Sequence, residues 1–381
     1  MFLTERAISL LIYALALLFT CFLMKRVVRN QYKIILFLYL ILLCIFAFNY
    51  KPYITADIFR LREYITYWTS KSWNDMIIYA FGSSHPAWVI YSWILNKFGN
   101  ENWLQTITCL WCFGNIFYII GSEIGINEVE NQDKALELFY IMAIGAFYLQ
   151  TISGIRSMLA VSIVAFCAYQ EIIKHKNILW HILLYLFAAL VHPMGMILVL
   201  SRILFLVFQE YDRGRRIILT LIAILMMGLM IYYLRNYIAD SFDYGSGYLN
   251  NRQQYSYIWE IIIGLIEIVE TLYVDISYKR VNSSSETANA LMRFSILWCV
   301  GSLIALPFSY SIFRRFSIFA TVLSIPLIYR TLYSVDIDDS KYLNMRKTII
   351  IVSSLIFIIS LLRGDLCGYK FFVLSENGMM H

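Results

Sequence analysis

The sequence predicts an all-α, polytopic integral membrane protein with long extracytoplasmic loops, and three observations lead to that fold class. Of 381 residues, 60% are hydrophobic and only 15% are charged, where soluble domains average about 45–50% apolar. Apolar runs of roughly 16–22 residues recur along the whole chain, each long enough to cross a hydrocarbon core about 30 Å thick. The loops between these runs alternate in charge, and those on one side are short and basic.

Ten to twelve spans are expected, at 7–24, 34–50, 103–122, 135–150, 157–173, 178–191, 193–208, 217–234, 257–277, 290–306, 316–333 and 348–362. The first follows Arg6 and has no small-residue cleavage site, so it reads as an uncleaved span. Lys25, Arg26, Arg29 and Lys33 mark one basic loop, Lys174 and Lys176 a second, and Arg213, Arg215 and Arg216 a third. Lys279 with Arg280, and Lys341 with Arg346 and Lys347, mark two more. The positive-inside rule makes that side cytoplasmic. The net charge of +6 is thus a topology signal, and nothing in its pattern calls for nucleic acid. Loops 51–102 and 235–256 fall on the opposite, extracytoplasmic side. With no internal repeat and no low-complexity linker, residues 1–381 read as a single transmembrane domain. In loop 51–102 the piece Ala87 to Phe98 is amphipathic and is expected to lie along the membrane interface.

The seven cysteines have no framework spacing, and Cys109 and Cys112 lie inside an apolar run, where a redox motif is not expected. No spacing of metal ligands, phosphate-loop glycines or serine-nucleophile motif occurs, and no cofactor is called for. Asp336-Ile337-Asp338 is a divalent-metal pattern, but the topology puts it on the cytoplasmic side.

The segment from Gln150 to Pro193 contains two apolar helices joined by Lys174-His175-Lys176. Arg156 opens the first and His192 ends the second, both on the extracytoplasmic side. A cation in the first turn of a helix opposes the macrodipole at a cost of roughly 0.3–1 kcal/mol unless an anion is there too. Pro193 suits the first position of the next helix, since it has no amide to satisfy. Arg314-Arg315 opens a third outward helix start. Three such N-termini with Arg156, Arg314 and Arg315 would make an anion site, and the planar guanidinium fork suits a phosphate. The same arginines also read as interface anchors or partners of loop carboxylates. His192 is either a base for a hydroxyl or a helix cap. In the run Asp57 to Tyr64, Asp57, Arg60 and Tyr64 share one face if the segment is helical. Glu260 and Glu267 share a face of the ninth span, with Glu270 and Asp275 beyond, and read as members of a structural ion-pair network with Arg202, Arg293 and Arg330 ahead of a proton or ion pathway, which would make the chain a transporter. Tyr244 and Tyr248, among Asp and Asn in loop 235–256, are suited to sugar rings.

SGIRSMLAVSIVAFCAYQEIIKHK followed by LLYLFAALVHPMGMILVL resembles the central signature of the EpsG/Wzy-like polysaccharide polymerases. The likeness extends to Asp57 with Tyr64 and to Arg314-Arg315, while Ser157 stands where many relatives have Gln. It implies a metal-independent glycosyltransferase in the bacterial cytoplasmic membrane. Such an enzyme moves a growing oligosaccharide from undecaprenyl diphosphate to the terminal sugar of the next lipid-linked unit. Arg156, Arg314 and Arg315 would hold the diphosphate, His192 or Asp57 would be the base, and Arg60, Tyr64, Tyr244 and Tyr248 would bind sugar. The implied partners are the undecaprenyl-diphosphate-linked oligosaccharide, membrane lipids, a chain-length regulator and a flippase. A flippase or other transporter, and an O-antigen ligase, are the competing functions for the chain itself.

Overall fold

The computed structural model describes residues 2–26, 31–50, 57–126, 154–209, 254–281, 286–307, 310–333 and 344–355, with isolated positions between them. The expected spans at 135–150 and 217–234 fall almost wholly outside the described residues, as do Tyr244 and Tyr248. Every long described element is helical. Four helices are long and apolar enough to cross a membrane: Trp103–Ile124, Ile155–Ile172, Glu286–Ala305 and Ile312–Thr331. Shorter apolar helices cover Tyr32–Phe48, Ile178–Val191 and Pro193–Gln209. The chain is an all-α, polytopic membrane protein.

In chain order the helices are α1 (Phe2–Arg26), α2 (Tyr32–Phe48), α3 (Asp57–Tyr67), α4 (Trp73–Gly82), α5 (Pro86–Asn96) and α6 (Trp103–Ile126). There follow α7 (Ile155–Ile172), α8 (Ile182–Val191), α9 (Pro193–Gln209), α10 (Gln254–Val281), α11 (Glu286–Ala305) and α12 (Tyr310–Tyr333). The bundle is centred on α7, which touches α6, α8, α9, α11 and α12. Its sequence allows this: Ser157, Ala160, Ser162, Ala165 and Ala168 are small and buried, and small residues let membrane helices approach closely. On its far side α12 packs along α10 and α11.

Helices α8 and α9 meet at the His192-Pro193 corner, and Gly195 makes that corner possible. A Cβ on Gly195 would run into the Ala188 carbonyl of α8 and come within 2.9 Å of Ala160 Cβ on α7. Because the first obstacle is backbone, Gly195→Ala should cost at least the roughly 1–3 kcal/mol of ordinary overpacking. A lower thermal midpoint in detergent and reduced abundance at the membrane are the expected results; an unchanged melt would show that the corner has room.

Residues 57–102 form a folded layer at the end of the bundle opposite the basic turn at Lys174 to Lys176. Arg62 of α3 anchors it: its guanidinium donates to the Tyr50 carbonyl at 2.5 Å and to Gln105 Oε1 at 3.2 Å. The expected amphipathic piece is α5, but the structure places it differently from an interfacial helix. Ala87, Trp88, Val89, Ser92 and Leu95 are buried, and α5 packs on α3, α4 and α8. It is α4 that leaves Trp73, Ile78, Tyr79 and Phe81 exposed. The period of α5 was legible in the sequence; which of two short apolar helices ends underneath depends on tertiary packing.

Candidate functional site

Two His-Pro dipeptides start helices at this end of the bundle. His85 is the N-cap of α5, with Pro86 at its first position. His192 lies between α8 and α9, with Pro193 first in α9. Proline is pre-organised for that position and has no amide left unsatisfied. The contact between α5 and α8 brings the two imidazoles together, with ring centroids 6.1 Å apart.

Arg156 completes the centre. It is the second residue of α7, after the N-cap Gly154, and its guanidinium carbon lies 5.8 Å from the centre of the Trp88 ring on α5. An indole face stabilises a cation by about 0.5–1 kcal/mol or more, which offsets the unfavourable helix position. Ser157 donates to the Gly154 carbonyl at 2.9 Å, so its hydroxyl supports the turn.

The electrostatics connect the same residues. Burial pulls the His85 imidazole down to about 4, and the Arg156 charge adds to it. His192 is held well below the usual histidine range, first by burial and then by Arg315, Arg156 and His85. Burial raises the Tyr64 phenol, while Arg156 opposes the rise. Both imidazoles are therefore neutral at neutral pH, beside two permanent cations. Starts of α5, α7 and α9 converge here, and free N–H groups at helix starts favour anions.

His192 also has a defined hydrogen bond. The Met194 amide donates to its Nδ1 at 3.1 Å, a side-chain cap on the first turn of α9. For His85, Nδ1 lies 2.6 Å from Ser84 Oγ, and its own amide donates to Ser83 Oγ at 3.1 Å.

Arg156, His192, Arg315 and Tyr64 are thus brought to one place, and His85 and Trp88 join them. These last two were not singled out from the sequence, although the repeated His-Pro dipeptide was a usable signal. Arg314 is placed elsewhere. Helix α12 starts at Tyr310, before the pair, so the arginines ride inside it on different faces and do not open it. Arg314 turns inward, its Nε 3.1 Å from Glu260, and it also bonds Glu267. Asp57 and Arg60 pair with each other at 2.6 Å, both more than half exposed.

Other buried ions are paired away from this centre. Glu171 meets Arg202 at 3.0 Å, His181 Nδ1 at 3.1 Å and the Tyr185 hydroxyl at 3.0 Å. Glu123 accepts from Arg330 at 2.9 Å and from Tyr169 at 2.6 Å. Arg202 and Arg330 therefore serve α7 and α6; of the acids of α10 expected to pair with them, Glu260 and Glu267 have Arg314 and Glu270 has the Ser353 hydroxyl at 2.5 Å. Among the described residues no three His, Cys, Asp or Glu side chains converge as metal ligands.

No curated protein and no solved structure matches the chain. The family model of the EpsG family matches residues 32–373, nearly the whole chain and all of this centre, and the chain belongs to that family.

Proposed function

We propose that the protein is a polysaccharide polymerase that transfers a growing oligosaccharide from a polyprenyl diphosphate to a sugar hydroxyl of the next lipid-linked unit, at the outer face of the cytoplasmic membrane. The observation that supports it most is the convergence of Arg156 and Arg315 on His192, beside the starts of three helices. Breaking the bond between a sugar and a diphosphate sends charge onto the phosphate oxygens. Fixed cations and helix starts aimed at that charge lower the barrier without reorganising. A bidentate arginine suits a diphosphate in shape as well as in charge. The prenyl tail explains why such a site stands at the end of an apolar bundle. Tyr64, half-buried beside Tyr67 and Tyr79 with ring centroids 6.4 and 6.3 Å away, gives the sugars an aromatic surface next to Arg156.

The two guanidiniums supply the charge that a metal would otherwise bring, so the reaction is taken to run without one. Purified protein in nanodiscs, given lipid-linked repeat units, a chelator and no ion gradient, should yield lipid-linked chains of two or more repeats. A flippase would move such units across a vesicle membrane and lengthen none of them. A ligase would pass them only to a different acceptor. Either result would replace the polymerase as the function.

A further inference from the structure

The layer formed by α3, α4 and α5 does not stand clear of the membrane, and the contacts of one tyrosine fix its level. Tyr91, in the middle of α5, has its hydroxyl 3.1 Å from Thr108 Oγ1 of α6 and its ring centroid 6.0 Å from that of Phe187 of α8. Phe187 in turn lies 6.5 Å from the ring of Trp111 on α6. Helix α6 starts at Trp103 and has 24 residues, about 36 Å of axis, which passes a hydrocarbon core about 30 Å thick by only a little at each end. Thr108 and Trp111 stand about 8 and 12 Å along that axis, and Phe187 is a full turn inside α8. The middle of α5 is therefore at the depth of acyl chains.

At that depth the bundle already presents an apolar surface, with Leu110 and Trp111 of α6 and Leu183 and Leu186 of α8 exposed. Helix α4 packs along α5 and so shares its level. Met76 and Ala80, four residues apart, bury one face of α4 against Trp68 and Val89. The other face has Ile78 and Phe81, 73% and 84% exposed. Polar side chains are confined to the start of α4, where Ser72 and Asp75 satisfy each other in a capping box. From Met76 to Phe81 each residue is apolar or aromatic. The start of α4 also gathers Trp73 against Trp93 at 5.2 Å and the Lys97 ammonium 4.3 Å from the centre of the Trp93 ring, and tryptophan is enriched at headgroup level.

We propose that α4 is embedded in the leaflet on the site's side of the membrane, with its Ile78 to Phe81 turn among acyl chains and its Trp73 turn at the headgroups. An exposed apolar patch marks a contact with protein or membrane, and lipid is the occupant favoured here. The face lies at the same depth as the lipid-facing residues of α6 and α8, and the cations at its start, Lys71 and Lys97, suit lipid phosphates. This placement holds whatever reaction the chain carries out, so it stands or falls apart from the polymerase function.

The test places a nitroxide at Ile78→Cys, Phe81→Cys or Lys97→Cys of the full chain in nanodiscs, with the wild-type protein labelled in parallel to subtract its own cysteines. Dissolved oxygen concentrates among acyl chains, whereas a nickel chelate stays in water. Positions 78 and 81 should therefore lose the relaxation by chelate that position 97 keeps, and gain relaxation by oxygen. Relaxation of 78 and 81 by the chelate as strong as at 97 would put the face in water and overturn the placement. Shielding from chelate and oxygen alike would mean that protein covers the face, a second copy or another chain, and would overturn it too. Since both side chains are exposed, the substitutions should leave the melt unchanged, and unlabelled wild-type protein gives a second reading if they do not. A lipid with a diazirine in its acyl chain should mark the peptide 73–82 on illumination. That peptide left unmarked, while the exposed residues of α8 are marked, would also overturn the placement.

Discussion

Arg156→Lys should lose chain growth almost as completely as Arg156→Ala. Lysine keeps the charge but offers a point donor where the diphosphate meets a planar fork, and it stacks less well on an indole. Removing one such donor from a preorganised site commonly costs about 2.7–4 kcal/mol, or roughly 10²–10³ in rate. The position argues against a merely structural role. Arg156 lies in the first turn of α7, where the macrodipole disfavours a cation, and it stands over the Trp88 ring and near Tyr64, His85 and His192. Arg156→Ala also removes a cation that disfavours protonation of both histidines, so each imidazole should titrate at higher pH than in the wild type. In cells both variants should reach the membrane at normal levels and leave surface glycan one repeat unit long on a length gel. Long chains from Arg156→Ala at normal abundance would remove the anion site.

Much of this centre was legible in the sequence, for reasons that can be named. The helix from Ile155 to Ile172 is an uninterrupted apolar run behind a glycine, and Pro193 marks the next start without help from tertiary structure. Those local rules place Arg156 and His192 at one end of the bundle. His85 was not legible in that way, because its partnership with His192 depends on α5 docking against α8, and a long aromatic-rich loop does not announce that it folds into three helices. The caps were visible one at a time. That two His-Pro starts would face each other was not. Asp57 and Arg60 were correctly placed on one helical face, yet a face alone does not say whether its groups look toward a substrate or toward each other. Arg314 and Arg315 show the same limit: neighbours on a helix point about 100° apart, and composition cannot say which of them turns inward.

Those two arginines should therefore give opposite phenotypes. Arg314 is 6% exposed and holds Glu260 and Glu267 of α10, themselves 15% and 1% exposed. Arg314→Ala leaves two carboxylates in a dry interior without their cation, and breaking a buried pair in this way costs about 3–5 kcal/mol. The expected result is a large fall in thermal midpoint and abundance, with lost glycan as a consequence of lost protein. Adding Glu267→Gln removes one of the stranded charges and should recover part of the stability. Arg315, half-buried and acting on His192, should behave otherwise. Arg315→Ala should melt like the wild type and accumulate normally, yet lose chain growth by about 10²–10³ as one of two cations leaves the anion site. With that cation gone the His192 imidazole is also easier to protonate, and protonation takes the lone pair that caps α9. Because its His192 titration lies closer to the unfolded value, the variant should lose less stability than the wild type as pH falls below the ordinary histidine range. Wild-type polymerisation by Arg315→Ala would take Arg315 out of the site, and an unchanged melt for Arg314→Ala would show that the α10–α12 contact holds without its ions.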